Sequence, residues 1–258
     1  MTKIKSAFEN KKAFIAYLSA GDPDLETTEK LIYEMEKNGA DLIEIGIPFS
    51  DPVAEGPVIQ EADLRALKSG TTTEKIFDMV ERIRPNVKIP LVFLTYCNSI
   101  FGYGTEKFTQ KCEQIGIDGL IVPDVPYEER EELAPFCEKH NIDLIALVAP
   151  TSEERVYKIA KASQGFLYIV SSLGVTGVRD KIETDIEGIV KAAKSVSDIP
   201  CAIGFGISTP EQAEEMCKYA DGVIIGSAIV KIIGQYGKDS IAPVGEYIRS
   251  IAKVCHNF

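Results

Sequence analysis

A single carboxylate stands among apolar residues in the segment Leu42-Ile43-Glu44-Ile45-Gly46-Ile47. In a β-strand, alternate side chains face opposite sides, so Glu44 lies opposite the three isoleucines. If the isoleucines pack against helices, Glu44 points inward near the end of the strand. Burial among apolar groups raises the pKa of a carboxyl group towards neutrality, which suits general acid–base catalysis. The alternative is a structural ion pair, but the predicted strands contain no lysine or arginine to form it.

The loop that follows, Ser50-Asp51-Pro52-Val53-Ala54-Glu55-Gly56-Pro57, carries two more carboxylates in a frame stiffened by prolines. Asp-Pro commonly opens a turn, so Asp51 is predicted to be a turn residue. Glu55 is either a second site residue or a side chain that faces solvent, and its spacing alone leaves both interpretations open.

Two glycine-bearing segments near the end of the chain, Gly204-Phe205-Gly206-Ile207-Ser208 and Gly226-Ser227-Ala228, are typical of anion sites. Glycines let the backbone approach an anion closely, and a helix predicted from Ala228 to Ile233 would offer unpaired N–H groups at its positive end. The pattern indicates a small phosphorylated substrate.

Two further features are less specific. The segment Gly174-Val175-Thr176-Gly177-Val178-Arg179 combines glycines with a hydroxyl and could form a lid over a substrate, or a disordered loop. Tyr168 lies within a predicted strand, where it either packs in the core or points its hydroxyl into a site.

Eight short, continuously apolar runs alternate with segments of helical periodicity, which is typical of parallel strands covered on both faces. The phosphate-type loops follow the seventh and eighth runs, and no G-x-G-x-x-G follows the first, so residues 1–258 are predicted to form a single-domain α/β (β/α)8 TIM barrel rather than an open doubly wound sheet. The predicted strands are Ala13–Leu18, Leu42–Ile47, Leu91–Leu94, Gly119–Val122, Leu144–Val148, Phe166–Val170, Ala202–Ile203 and Gly222–Ile225. The predicted helices include Leu25–Asn38, Thr73–Arg84, Glu106–Ile115, Glu128–His140, Glu153–Ala162, Asp185–Ser195 and Pro210–Tyr219.

The connections between these elements predict which end of the barrel does the chemistry. Asp41, Asp118, Asp143 and Asp221 each precede or open a strand, and we interpret them as turn residues of the stabilising N-terminal face. The loops Pro48–Ile59 and Ser171–Thr184 are longer than a connection needs, so they are predicted to frame a catalytic mouth.

The net charge of −11 limits the classes of partner, because its field repels nucleic acids and anionic membranes. No apolar run approaches the ~18–20 residues of a membrane span, and the charged start of the chain lacks the apolar core of a signal peptide. Six cysteines without a C-x-x-C pair are typical of reduced packing thiols, and the two histidines do not suggest a zinc site. We expect a cytoplasmic protein with no metal, no nucleic-acid partner and no membrane partner.

Segments over nearly the whole chain resemble the tryptophan synthase alpha chain family. The most specific is Glu44-Ile45-Gly46-Ile47-Pro48-Phe49-Ser50-Asp51-Pro52, whereas the glycine loops occur in many barrels. The other matching stretches are Ala20-Gly21-Asp22-Pro23, Gly56-Pro57-Val58-Ile59-Gln60, Asp124-Val125-Pro126, Gly174-Val175-Thr176-Gly177, Gly204-Phe205-Gly206-Ile207 and Gly226-Ser227-Ala228-Ile229-Val230.

The resemblance implies retro-aldol cleavage of indole-3-glycerol phosphate to indole and glyceraldehyde 3-phosphate, without a cofactor in this chain. Glu44 would be the acid–base residue, and Tyr168 would support the carboxylates. Glu55 would face the indole N–H in a position where the family pattern has aspartate, and Thr176 would contact it when the lid closes. The indole pocket would contain Tyr17, where phenylalanine is expected, with Ile59, Leu94, Tyr96 and Ile121, and the phosphate site Gly177, Phe205, Gly206, Gly226 and Ser227.

The resemblance also implies a beta-chain partner in an α2β2 complex. That partner would carry pyridoxal phosphate and receive indole through a channel. Its contact surface on this chain would include residues 51–58 together with Asn98, Phe101 and Pro126.

Two other functions share some of these features. A phosphosugar isomerase or epimerase would have the glycine loops without the segment from Glu44 to Pro57. A catalytically silent subunit would bind ligand and only activate its partner, and the glutamate at position 55 keeps this alternative open.

Overall fold

Eight parallel strands close into a barrel in sequence order, with β8 paired to β1. The computed structural model describes residues 3–150, 152–170, 185–204 and 206–258. The predicted closed (β/α)8 barrel is therefore confirmed, and the open sheet is excluded. The strands are β1 (Ala13–Ser19), β2 (Leu42–Gly46), β3 (Leu91–Leu94), β4 (Gly119–Ile121), β5 (Asp143–Val148), β6 (Leu167–Val170), β7 (Cys201–Gly204) and β8 (Gly222–Ile225).

Helices surround the barrel, and short polar side chains start several of them. Asp24 and Thr72 each accept the backbone N–H three residues ahead, and Thr209 forms a reciprocal capping box with Gln212. The α-helices are α1 (Leu25–Lys37), α2 (Pro57–Lys68), α3 (Thr73–Ile83), α4 (Cys97–Tyr103), α5 (Thr105–Ile115), α6 (Ala134–Lys139), α7 (Glu153–Ala162), α8 (Ile186–Lys194), α9 (Pro210–Cys217), α10 (Ser227–Tyr236) and α11 (Ile241–Cys255). Short 3-10 helices cover Ile4–Phe8, Tyr127–Glu132 and Gly237–Ser240.

Two predicted segments differ from the structure. The predicted helix Glu128–His140 is wrong as one element, because a 3-10 helix ends at Glu132 and α6 begins only at Ala134. Pro135 explains the break, since a proline has no N–H for the preceding turn and its ring crowds the carbonyl four residues earlier. The predicted loop Pro48–Ile59 is shorter than expected, because α2 starts with Pro57 in its first position. The loop Ser171–Thr184 lies outside the described residues.

Strand alternation divides the apolar residues into an outer layer and a barrel interior. The outward side chains of β2, Ile43 and Ile45, join the large core beneath the helices, whereas Leu42 faces inward. The barrel interior also contains Ala13, Ile15, Val92, Ile121, Ile145, Tyr168, Ala202 and Ile224. The inward positions become polar or aromatic only towards the strand ends, so the packed interior forms the floor of a site.

Aspartates hold the opposite, N-terminal end of the barrel together. Asp41, Asp118 and Asp221 enter β2, β4 and β8, and each carboxylate accepts a backbone N–H at the start of the preceding strand, at 2.8, 3.1 and 2.8 Å. Their carboxylates thus join neighbouring strands where the regular ladder begins. The interpretation of these residues as structural is confirmed.

Two further expectations concern the chain as a whole. The six cysteines are free thiols, and five of them are buried. In the described part of the chain, none of the helices combines the length and the apolar character that a membrane span requires.

Asp118→Ala should lower the free energy of unfolding by roughly 2–4 kcal/mol, because it removes a buried carboxylate and leaves its hydrogen-bond donors without an acceptor. Asp118 accepts from the N–H groups of Leu91 and Lys3 and from the Arg84 guanidinium, at 3.1, 3.2 and 3.2 Å. Urea denaturation measures the change. The control is Asp198→Ala, at an exposed aspartate between α8 and β7, and equal effects of the two substitutions would contradict the assignment.

Candidate active site

A cavity opens at the carboxyl ends of the strands, above the packed interior. Its empty space is about 690 Å³, including the open mouth. The walls are mainly apolar, with two carboxyl groups and two tyrosine hydroxyls among them. It is lined by Tyr17, Glu44, Ala54, Glu55, Ile59, Leu94, Pro123, Leu147, Tyr168, Gly206, Ile207, Ile224, Gly226 and Ser227.

Glu44 points from β2 into this cavity, as predicted. Its side chain is buried, with only 1% of the residue exposed, and it lies between Tyr17 of β1 and Val92 of β3 in the sheet register. The oxygen Oε1 has no hydrogen-bond partner among the residues that the structure describes. Burial raises the pKa of Glu44 to about 8. At neutral pH this carboxyl group therefore holds a proton that it can give to an atom in the cavity and take back.

Glu55 faces the same cavity rather than solvent, with 5% of the residue exposed. Burial raises the pKa of Glu55 to about 8, and the nearby Asp63 carboxylate raises it further, while backbone N–H groups of the loop lower it. Its oxygen Oε2 finds no hydrogen-bond partner in the described part of the chain. The interpretation of Glu55 as a solvent-facing side chain is wrong, because the loop turns this residue inward.

The loop between β2 and α2 is fixed from behind by an aromatic pair. The Tyr96 hydroxyl accepts the Ala54 N–H at 3.0 Å, and the Tyr96 ring stacks on Phe49 with centroids 5.1 Å apart. Tyr96 thus supports the cavity wall without lining it. Asp51 is exposed at the tip, as expected of a turn residue.

The two tyrosines that line the cavity fit only because glycines stand opposite them. A Cβ atom on Gly46 would lie 2.2 Å from the Tyr17 hydroxyl oxygen, and one on Gly204 would lie 2.3 Å from that of Tyr168. Burial, followed by the nearby carboxylates, raises the pKa of both tyrosines well above the usual value. Both hydroxyls therefore remain protonated and act as neutral hydrogen-bonding groups.

The far end of the cavity can hold an anion. Gly206 has a φ of +86°, which favours glycine, and Gly226 precedes the first turn of α10. No side chain of the described residues caps this helix, so its first N–H groups are available to a ligand and the helix dipole favours negative charge. Ser227 lines the cavity at the same point.

Nine of the predicted site residues lie together around the cavity. They are Tyr17, Glu44, Glu55, Ile59, Leu94, Tyr168, Gly206, Gly226 and Ser227. Ile121 lies deeper, in the barrel interior, and Tyr96 lies behind the loop. Thr176, Gly177 and Phe205 are outside the described residues.

Five residues of the cavity wall are not among those predicted from the sequence. Leu147 and Ile224 occupy inward positions near the ends of β5 and β8, where strand alternation could have identified them. Ala54, Pro123 and Ile207 lie in loops and give no such signal. Over the described ranges, no group of three or more His, Cys, Asp or Glu side chains is arranged to hold a metal ion.

A family model described as tryptophan synthase alpha chain matches residues 4–254. The tryptophan synthase alpha chain of Lacticaseibacillus casei is 48% identical over 251 residues, which is 97% of this chain and 94% of the relative.

Solved structures agree with the sequence relatives. Tryptophan synthase subunit alpha from Legionella pneumophila superimposes with a TM-score of 0.90 at 35% identity, with both chains fully covered. A chain in a structure of Mycobacterium tuberculosis tryptophan synthase gives a TM-score of 0.90 at 32% identity, covering 99% of this chain and 98% of that one.

Glu44→Gln should make the protein more stable than the parent at pH 8, with little difference at pH 5. The folded-state pKa of Glu44, about 8, lies above the usual 4.5, so the parent loses stability as pH rises from about 5 to 8. We expect a gap of roughly 2–4 kcal/mol at pH 8 in urea denaturation. Glu9→Gln, at an exposed glutamate, is the control; a gap for Glu44→Gln that stays constant with pH would contradict the burial effect.

Proposed function

The chain belongs to the tryptophan synthase alpha chain family, and on that premise we propose that Glu44 and Glu55 carry out its chemistry. Members of this family are carbon–carbon lyases of tryptophan biosynthesis, and this chain cleaves indole-3-glycerol phosphate to indole and glyceraldehyde 3-phosphate. One observation carries the residue assignment. Two buried carboxyl groups, each with an oxygen that lacks a partner among the described residues, share an apolar cavity that ends at a helix N-terminus.

The reaction needs one proton to be added to the substrate and another to be removed from it. Protonation of the indole carbon that bears the glycerol chain weakens the carbon–carbon bond, and loss of the neighbouring hydroxyl proton lets the bond break to give an aldehyde. Glu44 is neutral at pH 7 because burial raises its pKa to about 8. It donates the first proton, and its carboxylate then accepts the hydroxyl proton, so Glu44 ends the turnover as it began.

Burial keeps Glu55 mostly neutral in the empty cavity. A hydrogen bond from the indole N–H favours the ionised form of Glu55, so its proton leaves to solvent when the substrate binds. The Glu55 carboxylate then stabilises the positive charge that the first protonation places on the indole nitrogen. A carboxylate in an apolar cavity interacts with such a charge more strongly than it would in water. Tyr168 lines the same cavity as the two carboxyl groups and supports them; burial, followed by the charges of Glu44 and Glu55, raises the pKa of its hydroxyl.

The rest of the cavity positions the substrate. Tyr17, Ile59 and Leu94 contact the indole ring, Ile121 lies below them in the barrel interior, and Tyr96 supports the loop that carries Glu55. The residues proposed for the phosphate are Gly206, Gly226 and Ser227 together with Gly177 and Phe205. Thr176 is proposed to contact the carboxylate of Glu55 when the loop closes.

The proposed function also includes a partner chain that receives the indole. The family is an alpha chain that needs no cofactor of its own, and we propose that pyridoxal phosphate belongs to a beta chain that receives the indole in an α2β2 complex. Val53, in the loop that carries Glu55, and Phe101, on α4, are exposed apolar side chains, at 70% and 49%, and we propose that both contact that chain. Residues 51–58, Asn98 and Pro126 extend the surface. We further propose a single-domain, cytoplasmic enzyme without nucleic-acid or membrane partners.

Glu44→Gln should lower indole release from indole-3-glycerol phosphate by at least about 100-fold, because glutamine cannot transfer a proton. Binding of a phosphorylated substrate analogue should remain within about threefold, since glutamine keeps the size of the side chain. Indole is measured with and without an added beta chain. Retained turnover in the variant, or no indole from the parent under both conditions, would contradict the assignment.

Glu55→Asp should retain or raise the rate of indole release. Aspartate keeps the charge and restores the shorter side chain expected from the family pattern, so the carboxylate needs less folding back to reach the indole N–H. Steady-state kinetics measure the effect, with Glu55→Gln as the uncharged comparison. A complete loss in Glu55→Asp would mean that the loop depends on the longer side chain.

Ser227→Asp should raise KM for indole-3-glycerol phosphate by roughly tenfold to 100-fold while kcat changes little. The new carboxylate repels the substrate phosphate at the start of α10, far from the proton transfers. Ser227→Asn, which adds similar volume without charge, is the matched control. Equal KM values for the two variants would place the phosphate elsewhere.

A further inference from the structure

Gln60, near the start of α2, is hydrogen bonded to the backbone of Glu55. Its side-chain nitrogen Nε2 donates to the Glu55 carbonyl oxygen at 2.8 Å. A carbonyl oxygen can only accept a hydrogen bond, so the amide nitrogen rather than the amide oxygen faces Glu55. This one contact ties the peptide unit between Glu55 and Gly56 to the helix.

The contact does not cap the helix. The start of an α-helix leaves backbone N–H groups without partners, so a capping side chain has to accept hydrogen bonds. The Gln60 amide instead donates to a carbonyl that precedes the helix, and no side chain of the described residues caps α2. The hydrogen bond therefore fixes the loop rather than the helix.

The helix is a firm support for this contact. The neighbouring residue Ile59 is only 2% exposed and packs with Tyr17 of β1 and Val230 of α10. The Gly56 carbonyl accepts the backbone N–H groups of Ile59 and Gln60, each at 3.1 Å. Gln60 therefore reaches the loop from a fixed position.

The burial of the Glu55 side chain has a cost that the cavity does not offset. Its oxygen Oε2 has no partner within the described ranges, and no basic side chain lines the cavity there. Exposure to water would recover the free energy that a buried carboxyl group loses. Gly56 follows directly, and a glycine accepts the change of φ that rotation of the Glu55–Gly56 peptide requires. A contact on this peptide therefore opposes the outward turn of the side chain.

We propose that Gln60 is a positioning residue for the cleavage reaction: its amide fixes the Glu55–Gly56 peptide and thereby keeps the Glu55 carboxyl group inside the cavity. The Tyr96 hydroxyl, which accepts the Ala54 N–H at 3.0 Å, is the anchor on the other side of Glu55. The inference rests on the proposed function, in which Glu55 faces the indole N–H. Without the Gln60 donor, Glu55 faces solvent in a fraction of the molecules, and those molecules do not stabilise the charge on the indole.

A stability measurement tests the position of Glu55 without using activity. The pKa of Glu55 in the folded protein, about 8, lies above the usual 4.5, so the parent loses stability as pH rises from about 5 to 8, and glutamine at position 55 removes this loss. Glu55→Gln should therefore raise the folding equilibrium constant at least about tenfold more at pH 8 than at pH 5. In the Gln60→Met background this gain should be smaller by at least about threefold, the effect of one hydrogen bond.

Urea denaturation of the four proteins at both pH values measures the gain. An equal gain in the two backgrounds would overturn the proposal. The other titratable groups around Glu55 are unchanged in all four proteins, so their contributions cancel; they are Glu44, Tyr17 and Tyr168 in the cavity, with Asp63 of α2 and Asp124 after β4.

Kinetics of indole release test the consequence for the reaction. Gln60→Met keeps the length of the side chain and removes the donor, so it should lower kcat by about threefold to tenfold while KM stays within about threefold. In a Glu55→Gln background the same substitution should change kcat by less than about twofold, because no carboxylate is left to position. An equal loss in both backgrounds, or parent kcat in Gln60→Met, would overturn the proposal.

A second variant keeps the test informative if Gln60→Met fails to fold. Gln60→Glu keeps a polar side chain of the same length but has no donor when it is ionised, so its loss of kcat at pH 8 should equal or exceed that of Gln60→Met. Parent kcat in Gln60→Glu would overturn the proposal. Gln114→Met, at an exposed glutamine of α5, is the matched control and should change neither kcat nor the pH-dependent gain.

Failure of this inference is separable from failure of the proposed function. If Glu44→Gln abolishes indole release while Gln60→Met keeps the parent kcat and the full pH-dependent gain, only the positioning role is wrong. If Glu44→Gln and Glu55→Gln remain fully active while the gain still falls in Gln60→Met, the proposed chemistry is wrong although Gln60 holds Glu55 in place.

Discussion

The burial of two carboxyl groups in a mainly apolar cavity at the barrel mouth is the constraint on which the site depends. Glu44 and Glu55 carry pKa values of about 8 mainly because burial disfavours their ionised forms. No basic side chain lines the cavity wall in the described part of the chain. A lysine or arginine there would hold both carboxylates ionised and leave no proton to transfer. The apolar walls, the tyrosines and the loop supported by Tyr96 all preserve this low-polarity environment.

The residues that stabilise the barrel and the residues proposed for its chemistry lie at opposite ends of the barrel axis. At the N-terminal end, Asp41, Asp118 and Asp221 have their carboxylates satisfied by backbone N–H groups. At the C-terminal end, Glu44 and Glu55 each keep one oxygen without a partner among the residues described. Buried carboxyl groups therefore stabilise the barrel where hydrogen-bond donors surround them. Where such donors are missing, they cost stability but are reactive. Proteins commonly place such costs at functional sites.

Much of the fold could be predicted from the sequence because strand alternation and helix periodicity are local signals. All eight strands were located, and Glu44 was correctly placed on the inward face from its neighbours alone. The residues of the site are harder to predict wherever tertiary contacts determine which side chains face the cavity. Whether Glu55 faces solvent depends on how a loop folds, which no local pattern reports. Pro135 is a local signal as well, and it breaks the single helix predicted over Glu128–His140 because it stands in the first turn of α6.

The glycines opposite the two tyrosines restrict how the site can change over evolutionary time. A side chain at Gly46 or Gly204 would collide with a tyrosine ring that already fills the space. The tyrosine must therefore become smaller before the glycine can become larger, so the order of mutations matters. Each pair forms an epistatic unit in which one sequence of substitutions is open and the reverse sequence passes through a nonfunctional intermediate. Combinatorial libraries at this site should vary both members of a pair together.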